Sequence, residues 1–111
     1  MANSEVTDCC QVTTTWPDRA AADRAATTLV TERLAACAQV QGPLLSTYAW
    51  KGTNEQGQEW YCHLKTTTAR LRALQKRIRE LHPYEIPEII ALPIVGGDEG
   101  YLQWIRSEVK N

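Results

Sequence analysis

The apolar residues of the chain change period along its length, and the changes mark its elements. From Cys9 to Thr15 a β-branched run predicts a strand, ended by Trp16-Pro17-Asp18. Asp18 stands where its carboxylate can accept from first-turn N–H groups and cap a helix. Between about Arg19 and Ala36, the residues Ala22, Ala26, Leu29, Val30 and Leu34 recur at helical steps and form one apolar face. The small alanines on that face predict close approach to a sheet. A second strand runs from about Ala38 to Trp50, broken near Gly42-Pro43 because proline removes a ladder donor. The cluster Gly52–Gly57 (GTNEQG) reads as a turn, and Gln58–Thr67 as a third strand, so the two strands form a long hairpin. Thr67 or Thr68 can cap the next helix, whose Leu71, Leu74, Ile78 and Leu81 make a single stripe ending at His82-Pro83. The near-continuous apolar run Glu88–Val95 (EIIALPIV) predicts a fourth strand buried on both faces. Gly96-Gly97 breaks it, and Asp98 can cap a closing helix holding Tyr101, Leu102, Ile105 and Val109.

The order is βαββαβ plus a C-terminal helix. It predicts an α+β fold, a ferredoxin-like sandwich with two helices on one sheet face. Residues 9–111 read as one domain, with 1–8 as a flexible start. The hairpin strands, about 10–13 residues each, exceed the usual length of about 5–6. On strand parity Trp60, Cys62 and Leu64 share one face, and Tyr61, His63 and Lys65 the other. Helices on one face leave the second face and the long edges open, which predicts that another subunit covers them.

Composition narrows the class. The chain has 111 residues, 43% of them hydrophobic and 23% charged, which fits one ordinary globular core. A net charge of -1 gives no general attraction for nucleic acid or anionic membrane. No apolar run approaches the roughly 20 residues of a membrane span. The start MANSEVTDCCQ lacks the basic and apolar regions of a secretory signal, so the expected location is the cytoplasm. Cys9, Cys10, Cys37 and Cys62 are then expected as free thiols.

Six segments in register resemble the CutA divalent-cation-tolerance family: Trp16-Pro17-Asp18, Glu32–Cys37 (ERLAAC), Tyr48–Gly52 (YAWKG), Lys65-Thr66-Thr67, His82–Glu88 (HPYEIPE) and Tyr101–Trp104 (YLQW). HPYEIPE is the most specific of them. The resemblance covers nearly the whole chain. It implies a compact homotrimer in which long hairpin strands pair between subunits. It also implies a cytoplasmic setting, a trimer plan like that of the PII signalling proteins and a link to tolerance of divalent metals such as copper.

Metal binding is therefore the main candidate chemistry. No CxxC occurs, and adjacent Cys9 and Cys10 point to opposite faces of a strand. The copper ligands proposed for the family are a Cys near the end of the first strand and a His pair before Pro-Tyr. Here Thr14 stands at the Cys position and Leu81 at the first His position. His82 alone carries over as a metal ligand, for copper or another divalent cation, with no cofactor required. Its competing role is structural: at a helix end an imidazolium can meet free carbonyls and the macrodipole.

The rest of HPYEIPE reads either as a rigid connector fixed by Pro83 and Pro87 or as a pocket at a subunit boundary. In the pocket, Tyr84, Glu85 and Glu88 would lie opposite Lys65. His63 is expected as a hydrogen-bonded or interfacial histidine, Cys37 as a packed thiol, and Trp50, Trp60 and Trp104 as core or interface. The arginines and lysines of the second helix read as a solvated face. The third strand, QEWYCHLKTT, lacks the stacking pattern of RNA-recognition domains, and the first loop lacks the glycine and arginine of acylphosphatase-like enzymes. No enzyme motif supports catalysis. Two functions stay open: a trimeric metal-tolerance protein, and a trimeric small-molecule sensor or scaffold with its pocket between subunits.

Overall fold

The computed structural model describes residues 6–110. Strands β1 (Cys9–Trp16), β2 (Cys37–Trp50), β3 (Thr53–Thr67) and β4 (Ile89–Pro93) form one antiparallel sheet in the order β2-β3-β1-β4. Helices α1 (Arg19–Thr31), α2 (Leu71–Leu81) and α3 (Glu99–Glu108) complete it. The crossover through α1 leaves a gap between β1 and β2 that β3 fills, which is the ferredoxin-like arrangement.

Strand parity places the core as expected. Val12, Cys62 and Leu64 face Ala22 and Leu29 of α1 and Leu74 and Ile78 of α2. Each of the larger residues in that layer is fully buried, which stabilises by about 1.5–3 kcal/mol per side chain. Helix α3 packs on the other side of the sheet, against Cys9 and Ala36, through Leu102, Ile105 and Val109. It thereby covers one end of the second face and leaves the rest open.

Several boundaries differ from the sequence reading. Helix α1 ends at Thr31, not near Ala36. Arg33 takes a left-handed φ of 60°, and Leu34 N–H closes back on the Leu29 carbonyl at 3.0 Å, a Schellman termination without glycine. The Arg33 guanidinium then donates to the carbonyls of Ser107 and Glu108 at the end of α3, which holds it in place. The hairpin turn is Lys51-Gly52 alone, with φ of 50° and 87°, and Trp50 pairs directly with Thr53. Thr53–Gly57 therefore belongs to β3 rather than to a turn. Its polar residues look turn-like because this part of the hairpin is exposed to water. The expected interruption of β2 is a register shift between Gln41 and Leu44, around a cis Gly42–Pro43 bond.

Strand β4 is not buried on both faces. Ile89 and Ala91 meet the core, while Ile90 and Leu92 are 47% and 54% exposed, because β4 is a sheet edge whose second face no described residue covers. A 3-10 turn, Thr68–Arg70, precedes α2, and neither threonine side chain caps it. The Thr68 N–H instead donates to the Asp8 carbonyl at 2.8 Å. Within the segment expected as a flexible start, Thr7 N–H bonds the Ile94 carbonyl at 3.0 Å. The Asp8 carboxylate accepts from Arg106 Nε at 2.9 Å. Residues 1–5 lie outside the described residues.

Candidate functional site

His82 ends α2 and is buried. Its Nε2 is 2.6 Å from the Thr15 carbonyl, and its Nδ1 is 3.2 Å from the Tyr84 backbone nitrogen. A carbonyl can only accept and an amide N–H can only donate, so Nε2 carries the proton and Nδ1 is bare. The ring is a neutral imidazole with both nitrogens engaged. Burial holds its pKa below the usual histidine value, against the raising effects of the Thr15 bond and the Glu59 charge. The ring also stacks on Trp16, centroid to centroid 4.1 Å. The expectation of an imidazolium resting on helix carbonyls is corrected accordingly: the side chain reaches across to β1, and burial disfavours the charge.

By fixing the Tyr84 amide, His82 sets the start of the connector Pro83–Glu88. This segment forms one wall of a cleft of about 560 Å³, and the hairpin forms the other. Leu44 pairs with Glu59, so Tyr48 and Trp50, at even spacing from Leu44, share that face of the hairpin. Tyr84 faces them, and its hydroxyl donates to Glu59 Oε2 at 2.7 Å, bridging the walls. Burial, and then this carboxylate, push the Tyr84 hydroxyl far above the usual tyrosine pKa, so it stays protonated. Glu85 and Glu88 complete the acidic rim, and Pro87 is buried beneath it.

Of the expected pocket residues, Tyr84, Glu85 and Glu88 line this cleft together, and Lys65 does not. Lys65 sits farther along β3 and donates to Gln39 Oε1 at 2.8 Å on the open sheet face. Its neighbour on that face, His63, lies 3.1 Å from both Gln41 Oε1 and Thr13 Oγ1. This is the hydrogen-bonded histidine the sequence predicts. Burial, then the Lys65 charge, lower its pKa. The sequence reading did not place Tyr48, Trp50 and Glu59 in this cleft. Their common face depends on the register shift at Gly42-Pro43, which alternation alone does not supply.

At the positions of the family's proposed copper ligands, Thr14 is fully buried and Leu81 packs against the core. Among the described residues, no three His, Cys, Asp or Glu side chains form a group able to hold a metal ion. Cys9, Cys10 and Cys62 are buried. Cys37 is half-exposed rather than packed, 3.5 Å from the Tyr101 hydroxyl. Burial raises all three buried thiols, and Cys62 reaches about 12. On α2, Arg77 is paired with Glu32 at 2.9 Å and Glu80 at 3.3 Å, as a solvated helix face would be.

The family model described as CutA1 divalent ion tolerance protein matches residues 10–108. The divalent-cation tolerance protein CutA of Thermus thermophilus is 45% identical over 92 residues, covering 83% of this chain and 89% of the relative. That of Pectobacterium atrosepticum is 36% identical over 110 residues, covering 99% and 100%. Among solved structures, CutA from Xylella fastidiosa superposes with a TM-score of 0.91 at 38% identity, over 94% of this chain and 100% of its own. With the ferredoxin-like sheet, the connector HPYEIPE and this agreement over almost every residue, the chain belongs to the CutA family of divalent-cation tolerance proteins.

Proposed function

We propose that this chain serves divalent-cation tolerance as a non-catalytic cytoplasmic homotrimer, and that its ligand site is the cleft between the hairpin and the Pro83–Glu88 connector. The observation that carries the reading is the cleft itself. It has the size of a small-molecule site, three aromatic rings, three carboxylates and a rigid wall anchored by His82 and two prolines. Glu85 and Glu88 form its charged rim, and no proton-transfer partner is assigned to them.

Two features support the trimer. Ile90 and Leu92 leave an apolar strip on the open sheet face. Strand β1 pairs with β3 only from Trp60 to Thr67, so the Thr53–Glu59 edge of β3 is left for another chain's backbone. Four free thiols support a reducing compartment.

Direct binding of copper or another divalent cation through His82 is the second reading. It requires the imidazole to give up the Thr15 or Tyr84 bond, and the loss of either strands a backbone group. Calorimetric titration of copper(II) into the protein and into His82→Ala separates the two. Equal binding by both is expected. Copper affinity that disappears with His82 replaces the cleft reading by the metal one. Light scattering on the eluting protein checks the assembly. The expected mass is three times the 12.5 kDa chain, and a monomer refutes the interface argument.

A further inference from the structure

We propose that the cleft takes an organic ammonium cation, a small amine or quaternary ammonium group, seated against the Trp50, Tyr48 and Tyr84 rings and countered by Glu59. The inference rests on reading the cleft as the ligand site and adds the chemical class of the ligand.

The charge balance is one-sided. Glu59, Glu85 and Glu88 line the cleft, and among the described residues no lysine, arginine or histidine does. The charges acting on the Tyr84 hydroxyl, from Glu59 and Asp18, are likewise negative. An anionic ligand would meet three carboxylates in the lining, with Lys51 held outside it on the Trp50 ring.

Between a metal ion and an organic cation, geometry favours the second. A hard divalent ion requires a close shell of about six or more oxygens, and the described residues supply no convergent group of three ligating side chains. A diffuse onium charge requires aromatic faces and a carboxylate nearby, with no short coordination bonds. The volume, about 560 Å³, suits an organic molecule rather than a bare ion.

The rings are suited to the task. Lys51 Nζ lies 5.5 Å from the Trp50 ring centroid, so this indole already accepts an ammonium group in the folded chain. Tyr84 donates to one Glu59 oxygen. The carboxylate is thereby fixed in place, while its remaining lone pairs stay free to face a cation. Tyr48, Trp50 and Glu59 share one hairpin face, and Tyr84 closes on them from the connector, so rings and charge converge from two walls.

The probe is choline, titrated calorimetrically into the assembled full-length protein beside its neutral carbon isostere, and then into Trp50→Leu and Glu59→Gln. Melting temperature and assembly mass are recorded for each variant. The expected result is that choline binds, the isostere binds at least tenfold more weakly, and each substitution weakens choline at least tenfold in a protein that stays folded and assembled. Equal binding of choline and isostere, both lost in Trp50→Leu, overturns the cationic class but leaves the cleft as a ligand site. Choline binding untouched by either substitution overturns the location. Manganese(II) displacing choline from the cleft returns the site to a metal ion. No binding of either probe to the folded assembly overturns this inference, whereas the cleft reading falls only with copper affinity that depends on His82.

Discussion

Replacing His82 by alanine tests whether this residue holds the site together or waits for a metal. The substitution removes a hydrogen bond to the Thr15 carbonyl at 2.6 Å and the acceptor for the Tyr84 amide at 3.2 Å. Each bond contributes about 0.5–1.5 kcal/mol net, and a buried group left without a partner costs about 1–3 kcal/mol. The stack on Trp16, at 4.1 Å between centroids, adds about 0.5–1.5 kcal/mol. Partial relaxation and water entry through the exposed connector reduce the sum, so the expected loss is about 2–4 kcal/mol. With a urea m-value near 2 kcal/mol/M, the midpoint falls by about 1–2 M. The assay is urea unfolding followed by tryptophan fluorescence at fixed protein concentration, because assembly couples stability to concentration. His82→Gln, which keeps a donor and an acceptor, should lose about half as much. A loss below about 0.5 kcal/mol in His82→Ala, with the copper site abolished, would refute the structural role and favour the ligand role.

The two histidines also fix a pH response. Both have folded pKa values below the ordinary 6.5, so the unfolded chain binds more protons in the window beneath it. Stability is full above pH 6.5 and falls as acid carries the solution down through the folded values. Urea midpoints between about pH 7 and 5 should show this slope before the Arg106-paired Asp8 and the Arg77-paired Glu32 begin to titrate, and His82→Ala should flatten it. Gly42→Ala would place a Cβ 2.6 Å from Trp60 Cδ1, so the ring must shift. A loss of about 1–3 kcal/mol by thermal melting is expected, partly recovered with a smaller residue at Trp60. Under native conditions iodoacetamide should modify Cys37 alone, with Cys9, Cys10 and Cys62 reacting only on unfolding; intact mass spectrometry counts the adducts.

Periodicity made the layers legible. The stripe Leu71, Leu74, Ile78 and Leu81 and the alternation Trp60, Cys62 and Leu64 set which faces are buried, because helix and strand geometry impose those spacings regardless of context. What they miss is where a chain reverses. Arg33 ends α1 in a conformation usually left to glycine, supported by the Leu34-to-Leu29 backbone bond and by side-chain bonds to the end of α3, a helix far along the chain. In the same way, GTNEQG resembles a turn by composition, yet a two-residue turn beside it suffices and the rest becomes strand.

The site divides along the same line. Sequence alone marked the connector, and the structure brings its Tyr84, Glu85 and Glu88 into one cleft. It set Lys65 opposite them in a pocket at a subunit boundary, and within one chain that lysine lies farther along β3, bonded to Gln39. Tyr48, Trp50 and Glu59 entered only through hairpin register, a long-range quantity set by the shift at Gly42-Pro43. The sequence by itself determined the family, the layer order and the rigid connector, because motifs and periods are local. Only the tertiary structure decided that His82 is neutral and engaged and that Glu59 joins Glu85 and Glu88 in the cleft, because those properties depend on which distant groups folding brings within reach.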